Sequence, residues 1–125
     1  MTGKYILVGH QVVSCSDLMT WARWFETADR CVRDTARDDV RVSTVFLGLD
    51  HGFGLDHTPP LLFETMVFVN GTEEGCERYS SWAEAEAGHE RWVQQVFKPT
   101  PFIERSLIKQ IWFIKAITGN SFQNR

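Results

Sequence analysis

The chain has little cysteine, little net charge and no long apolar run, and each shortage removes a class of protein. Its three cysteines, Cys15, Cys31 and Cys76, are odd in number and form no Cys-x-x-Cys. That argues against a disulfide framework and against paired-cysteine zinc sites. No stretch is long and apolar enough to span a bilayer as a helix. No secretory leader opens the chain, so the expected location is the cytoplasm, with free thiols. A net charge of −3 suits neither a nucleic-acid binder nor an acidic DNA mimic. Gly-x-Ser-x-Gly, a phosphate-binding glycine loop and a dinucleotide fingerprint are all missing, as are repeats and low-complexity tracts. No cofactor and no metal are expected.

What is present is apolar and aromatic. In 125 residues the hydrophobic fraction is 43%, enough for the core of one domain. Nine Phe, five Trp and two Tyr are too many to bury completely. Exposed aromatics are common anchors of binding surfaces. Charge is uneven: Lys98, Arg105, Lys109, Lys115 and Arg125 stand against Glu104, a net of +4, so the first 97 residues carry −7.

Residues 4–13 read as a strand with a glycine break. Leu18, Trp21, Ala22, Phe25 and Ala28 recur at helical spacing and predict an amphipathic helix over 17–29. Cys31 and Val32 could extend it, or Arg30–Thr35 could begin a strand; Asp38-Asp39 is a turn either way. Residues 40–49 and 61–69 form strands, apolar on both faces from Val45 onward, which implies a sheet covered on both sides. Asn70-Gly71 marks a turn and Cys76–Tyr79 a returning strand. If Leu49 pairs with Leu61, Glu64 lies opposite Phe46, about 16 Å along the strand from His51. Ser81-Trp82-Ala83-Glu84 is a capping box opening a helix to Phe97, with Trp82, Ala85, His89, Trp92, Val93 and Val96 on its apolar stripe. Thr100-Pro101 begins a further helix to about Ile117. The expected fold is α+β: an antiparallel sheet of three to five strands packed by three helices, the last C-terminal. Residues 1–98 are its core, and 99–125 are a helix and tail of the same domain.

Polar chemistry concentrates at Leu49-Asp50-His51-Gly52-Phe53-Gly54-Leu55-Asp56-His57. Asp50, His51, Asp56 and His57 are of metal-ligand type, but adjacent Asp-His residues point apart. Glu64, mid-strand among apolar residues, needs a partner if buried. His89 sits on the stripe that packs on the sheet, so a Glu64–His89 hydrogen bond is expected. Asp50, His51, Glu64 and His89 are the candidate catalytic set. In the C-terminal helix Ile103, Leu107, Ile111, Ile114 and Ile117 share one face, while Ile108, Trp112 and Phe113 fall elsewhere on the wheel. A helix apolar on more than one side is buried in the core, meets a second molecule, or lies on a membrane. Ile108, Trp112, Phe113 and Phe53 are the candidate binding residues, and a homo-oligomer is expected.

Thr44-Val45-Phe46-Leu47-Gly48-Leu49-Asp50-His51, Pro60–Phe68, and Arg78-Tyr79 with Trp82–His89 form a distinctive pattern, joined upstream by Asp17–Ala22. Over roughly residues 5–95 the chain resembles a group of small phage and prophage proteins of unknown function. In that group the first Asp-His is usual and the loop after it varies. Leu55-Asp56-His57 departs from the pattern, which argues against a shared metal site. The resemblance implies a phage gene product in a bacterial host and supplies no activity. The leading expectation is a non-catalytic phage accessory protein that binds another macromolecule, with a host defence component as a natural target. The alternatives are a small hydrolase or lyase using His51 oriented by Asp50, and a virion or self-assembling component.

Overall fold

A computed structural model describes residues 3–52 and 58–97 of the chain. Strand β1 (Tyr5–Val8) turns at Gly9-His10 into β2 (Gln11–Ser14). Gly9 has φ 63, which L side chains seldom adopt, and this lets two residues reverse the chain. The single strand expected over 4–13 is therefore a hairpin. Helix α1 (Leu18–Thr27) follows, capped where Asp17 Oδ2 accepts from Thr20 N at 2.8 Å. It ends at an extended Ala28, and β3 (Cys31–Arg37) settles the open alternative in favour of a strand.

β3, β4 (Val40–Phe46), β5 (Phe63–Val69) and β6 (Thr72–Tyr79) form a sheet in sequential order, every neighbour antiparallel. Asp38-Asp39 and Asn70-Gly71 make its two tight turns, with φ 55 at Asp38, 52 at Asn70 and 78 at Gly71. β6 begins four residues earlier than the sequence suggests, at Thr72 rather than Cys76. Helix α2 (Trp82–Phe97) opens on the predicted capping box: Glu84 N donates to Ser81 Oγ at 3.1 Å and Ser80 N to Glu84 Oε1 at 3.2 Å. The described residues hold two helices; the third, expected over 101–117, lies outside them. None of the described helices is long and apolar enough to cross a membrane.

α2 covers the sheet face that carries alternate residues of β4 and β5. One apolar cluster joins Val40, Val42, Val67 and Val69 to Trp92 and Val96. A second joins Phe46, Leu62, Phe63, Tyr79 and Ala85 to Leu7 of the hairpin, with Tyr5, Val12, Trp24 and Trp82 around it. Two glycines let α2 sit this close. A Cβ on Gly88 would collide with the Tyr79 ring, and one on Gly75 would come within 3.0 Å of Trp92. The hairpin and α1 are fastened to the sheet by Trp21, whose Nε1 donates to Tyr5 O and Gly48 O at 3.1 and 3.2 Å. The other sheet face is only partly covered: Val45, Met66 and Phe68 are half-buried there, beside the Arg41–Asp34 and Arg78–Glu64 ion pairs.

The pairing register differs by one residue from the expected one. Glu64 lies opposite Val45, and Phe46 opposite Phe63. Because side chains alternate along a strand, that slip exchanges the two faces. Phe63, Thr65, Val67 and Val69 turn toward α2, and Glu64, Met66 and Phe68 turn away.

Candidate functional site

Between the two apolar clusters runs a line of polar side chains that crosses all four strands beneath α2. His89, 1% exposed, projects from α2 between two threonines. Its Nε2 is 2.9 Å from Thr35 Oγ1 on β3, and its Nδ1 is 2.8 Å from Thr44 Oγ1 on β4. Thr44 Oγ1 lies 2.6 Å from Thr65 Oγ1 on β5. The Tyr79 hydroxyl on β6 lies 2.9 Å from Thr65 Oγ1 and 3.2 Å from Glu77 Oε1, and its single proton is shared between these two acceptors. Glu77 also accepts from Trp92 Nε1 at 2.9 Å and from Arg91 on both oxygens, at 3.1 and 3.0 Å. Each hydroxyl has one proton, so the ring nitrogen that carries the His89 proton sets the polarity of the Thr44–Thr65 link.

Burial, and after it the Arg33 charge, pushes the His89 pKa below its ordinary value. Burial also raises the Tyr79 phenol, against the hydrogen bond to Thr65. This arrangement is a satisfied polar seam. Its groups spend their hydrogen bonds on one another, which holds α2 in register on the sheet.

Glu64 takes no part in the seam, and the expected Glu64–His89 bond does not form. Facing away from α2, Glu64 accepts from Arg78 Nε at 3.0 Å and from the Cys76 thiol at 3.5 Å. Burial and the Glu64 charge push the Cys76 thiol up to about 12, so it is a poor nucleophile at neutral pH.

The Asp-His pair divides. Asp50 Oδ1 accepts from Gly52 N at 2.7 Å and Leu61 N at 2.9 Å, tying together the two ends of the loop that begins the Asp-His repeat. His51 Nδ1 lies 2.9 Å from Leu49 O, so that nitrogen carries the proton and donates. Asp50 therefore serves the backbone, and a carbonyl orients His51. Phe53, Asp56, His57, Ile108, Trp112 and Phe113 lie outside the described residues. Among the described residues no group of three or more His, Cys, Asp or Glu side chains could hold a metal ion.

Among the described residues, two clefts border α2. One, of about 310 Å³, is lined by Leu61, Arg78, Tyr79, Ser80, Glu84 and Arg91. Its arginines already hold Glu64 and Glu77. The other, of about 480 Å³, lies where the His10 ring stacks on Trp82, centroids 3.7 Å apart and 7° from parallel.

Sequence reasoning missed the apolar surface on the hairpin side. Val8 is 60% exposed, Val13 40%, Leu18 60%, Met19 57% and Leu49 41%. All five belong to the hairpin, the start of α1, or the residue that bridges to Lys4 ahead of β1. Val12-Val13 reads as core until the hairpin turn assigns each residue a face, and Leu18 belongs by spacing to the apolar stripe of α1 yet lies exposed at the helix start.

No family model matches the chain, and no curated protein or solved structure matches it significantly.

Proposed function

We propose that this protein is a phage accessory protein that works by binding another macromolecule, a component of the bacterial host, and that the hairpin lobe is the contact surface. The observation that carries the reading is that Val8 and Val13 of the hairpin, Leu18 and Met19 at the start of α1, and Leu49, which bridges to Lys4, are all exposed. Large exposed apolar groups gathered in one region mark interaction sites more often than scattered ones do. A second support is the state of the acid/base candidates. Asp50 is held by backbone amides, Glu64 by Arg78, and His89 by two threonines.

Leu18→Glu with Met19→Glu tests the surface, since both side chains are exposed and their replacement should cost within about 0.5 kcal/mol of stability. Affinity capture from infected cells with the full chain should recover a host protein. The double variant should lose it, with an affinity deficit of roughly 30-fold for about 2 kcal/mol of lost anchor contacts. Equal capture by both forms would overturn the assignment of this surface. A hydrolytic activity abolished by His51→Ala would overturn the binding reading itself.

A further inference from the structure

We propose that two copies of this chain join edge to edge through β2, antiparallel, about a two-fold axis at Val13. This rests on the reading of the hairpin lobe as a binding surface and adds a second copy as one of its occupants.

The backbone argument comes from the hairpin register. The two-residue turn closes on Val8 and Gln11, and Ile6 pairs with Val13. In an antiparallel ribbon alternate pairs exchange hydrogen bonds, so β1 bonds to Gln11 and Val13. The bond from Cys15 N to Lys4 O at 2.9 Å continues that alternation. Val12 and Ser14 therefore aim their N–H and C=O groups away from β1. On the far side of β1 the equivalent outward amide is engaged, with Tyr5 N donating to Gly48 O at 2.9 Å. Among the described residues no strand pairs with the outer edge of β2.

The charge argument separates this edge from the others. An unprotected strand edge is a template for another strand, and proteins commonly guard it with charge, proline or a bulge. The β3 edge carries Arg33, Asp34 and Arg37, and a register shift between Cys31 and Arg33. The β6 edge carries Glu73, Glu74 and Arg78. β2 is Gln11-Val12-Val13-Ser14, without charge or proline. A two-fold axis brings like residues together, so charged edges repel their own copies and a neutral one does not. Pairing Val12 with the second copy's Ser14, and the reverse, uses both outward sets of backbone groups. It also sets exposed Val13 against the second copy's Val13. A four-residue edge is small beside the roughly 800 Å² per partner of a standard interface, so the dimer forms with rising concentration.

Sedimentation of the full chain over a wide concentration range tests the proposal. The wild type should pass from monomer to dimer. Val13→Lys places like charges on the axis, and Ser14→Pro removes an N–H that the hairpin does not use; both should remain monomeric with unchanged circular dichroism. Val13→Cys in a Cys31→Ser background should oxidise to a linked dimer, because directly opposed residues of a non-hydrogen-bonded pair suit disulfide geometry. Val8→Cys, distant from the axis, should not. A wild type monomeric at every concentration, a dimer that persists in Val13→Lys, or no linked dimer from Val13→Cys would each overturn the proposal. Should the wild type stay monomeric while Leu18→Glu/Met19→Glu still loses its host target, only the dimer fails. Should the β2 dimer form while that variant captures the same proteins, only the host-binding surface fails.

Discussion

His89 shows what a single residue decides here. It is held between Thr35 and Thr44 with Arg33 and Asp34 nearby on β3 and Glu90 beside it on α2. An unfolded chain would take up its proton near the ordinary histidine value of 6.5, and the folded chain takes it up at lower pH. Below 6.5 the unfolded state therefore binds more proton, and stability falls as pH drops between the two values. Hydrogen bonds hold Asp17 and Asp34 below their ordinary 3.8, so what they contribute is lost further down. Unfolding free energies from urea titrations between about pH 7.5 and 5 should fall for the wild type, by up to about 1.4 kcal/mol for each unit of difference in pKa. His89→Gln should start less stable and change less over the same range; parallel slopes would refute the assignment. The placement of His89 on the buried stripe is legible in the 3.6-residue spacing. Its partner is not, because the partner depends on strand register, and one residue of slip moves Glu64 to the opposite face.

Among the elements, those with strong local signals are legible. Asn70-Gly71 turns, Ser81-Glu84 caps, and the β-branched runs from Val40 and Phe63 pair. The hairpin at Gly9-His10 is not, since Gly-His lacks the Asn-Gly signature and a glycine inside an apolar run also reads as a bulge. β3 is ambiguous because its half-buried residues, Val32 and Thr35, stand three apart, a spacing that suits one face of a helix as well as a bulged strand. The two helices differ in how they are anchored. α2 buries Ala85, Gly88, His89, Trp92 and Val96, whereas α1 buries none of its residues completely. α1 depends on Trp21, Phe25 and its Asp17 cap. Asp17→Ala should destabilise the helix, because it removes the side-chain acceptor for Thr20 N. Native-state hydrogen exchange should show α1 amides opening at much lower free energy than those of α2, and further lowered by the substitution. Equal protection of the two helices would contradict this account.

At the scale of the molecule the polar seam and the apolar clusters act together, since the seam crosses the four-stranded sheet between them and reaches each of its strands from α2. The sequence hides it: Thr44 and Thr65 sit within apolar runs and have the shape of valine, so composition cannot separate them from core. Their role follows only from four aligned strands. The seam specifies the docking of α2 because a shift along the sheet would strand its hydroxyls without partners. Thr65→Val removes the middle link while nearly conserving volume, leaving Thr44 and the Tyr79 hydroxyl each short of one contact. It should cost about 1–3 kcal/mol, and Thr44→Val a similar amount. If the seam acts as one unit, the double variant loses less than the two singles together, with a coupling of at least about 0.5 kcal/mol by urea unfolding. Strict additivity would mean that each threonine acts alone and that α2 is positioned by Trp92, Val96 and the clearance at Gly88 instead.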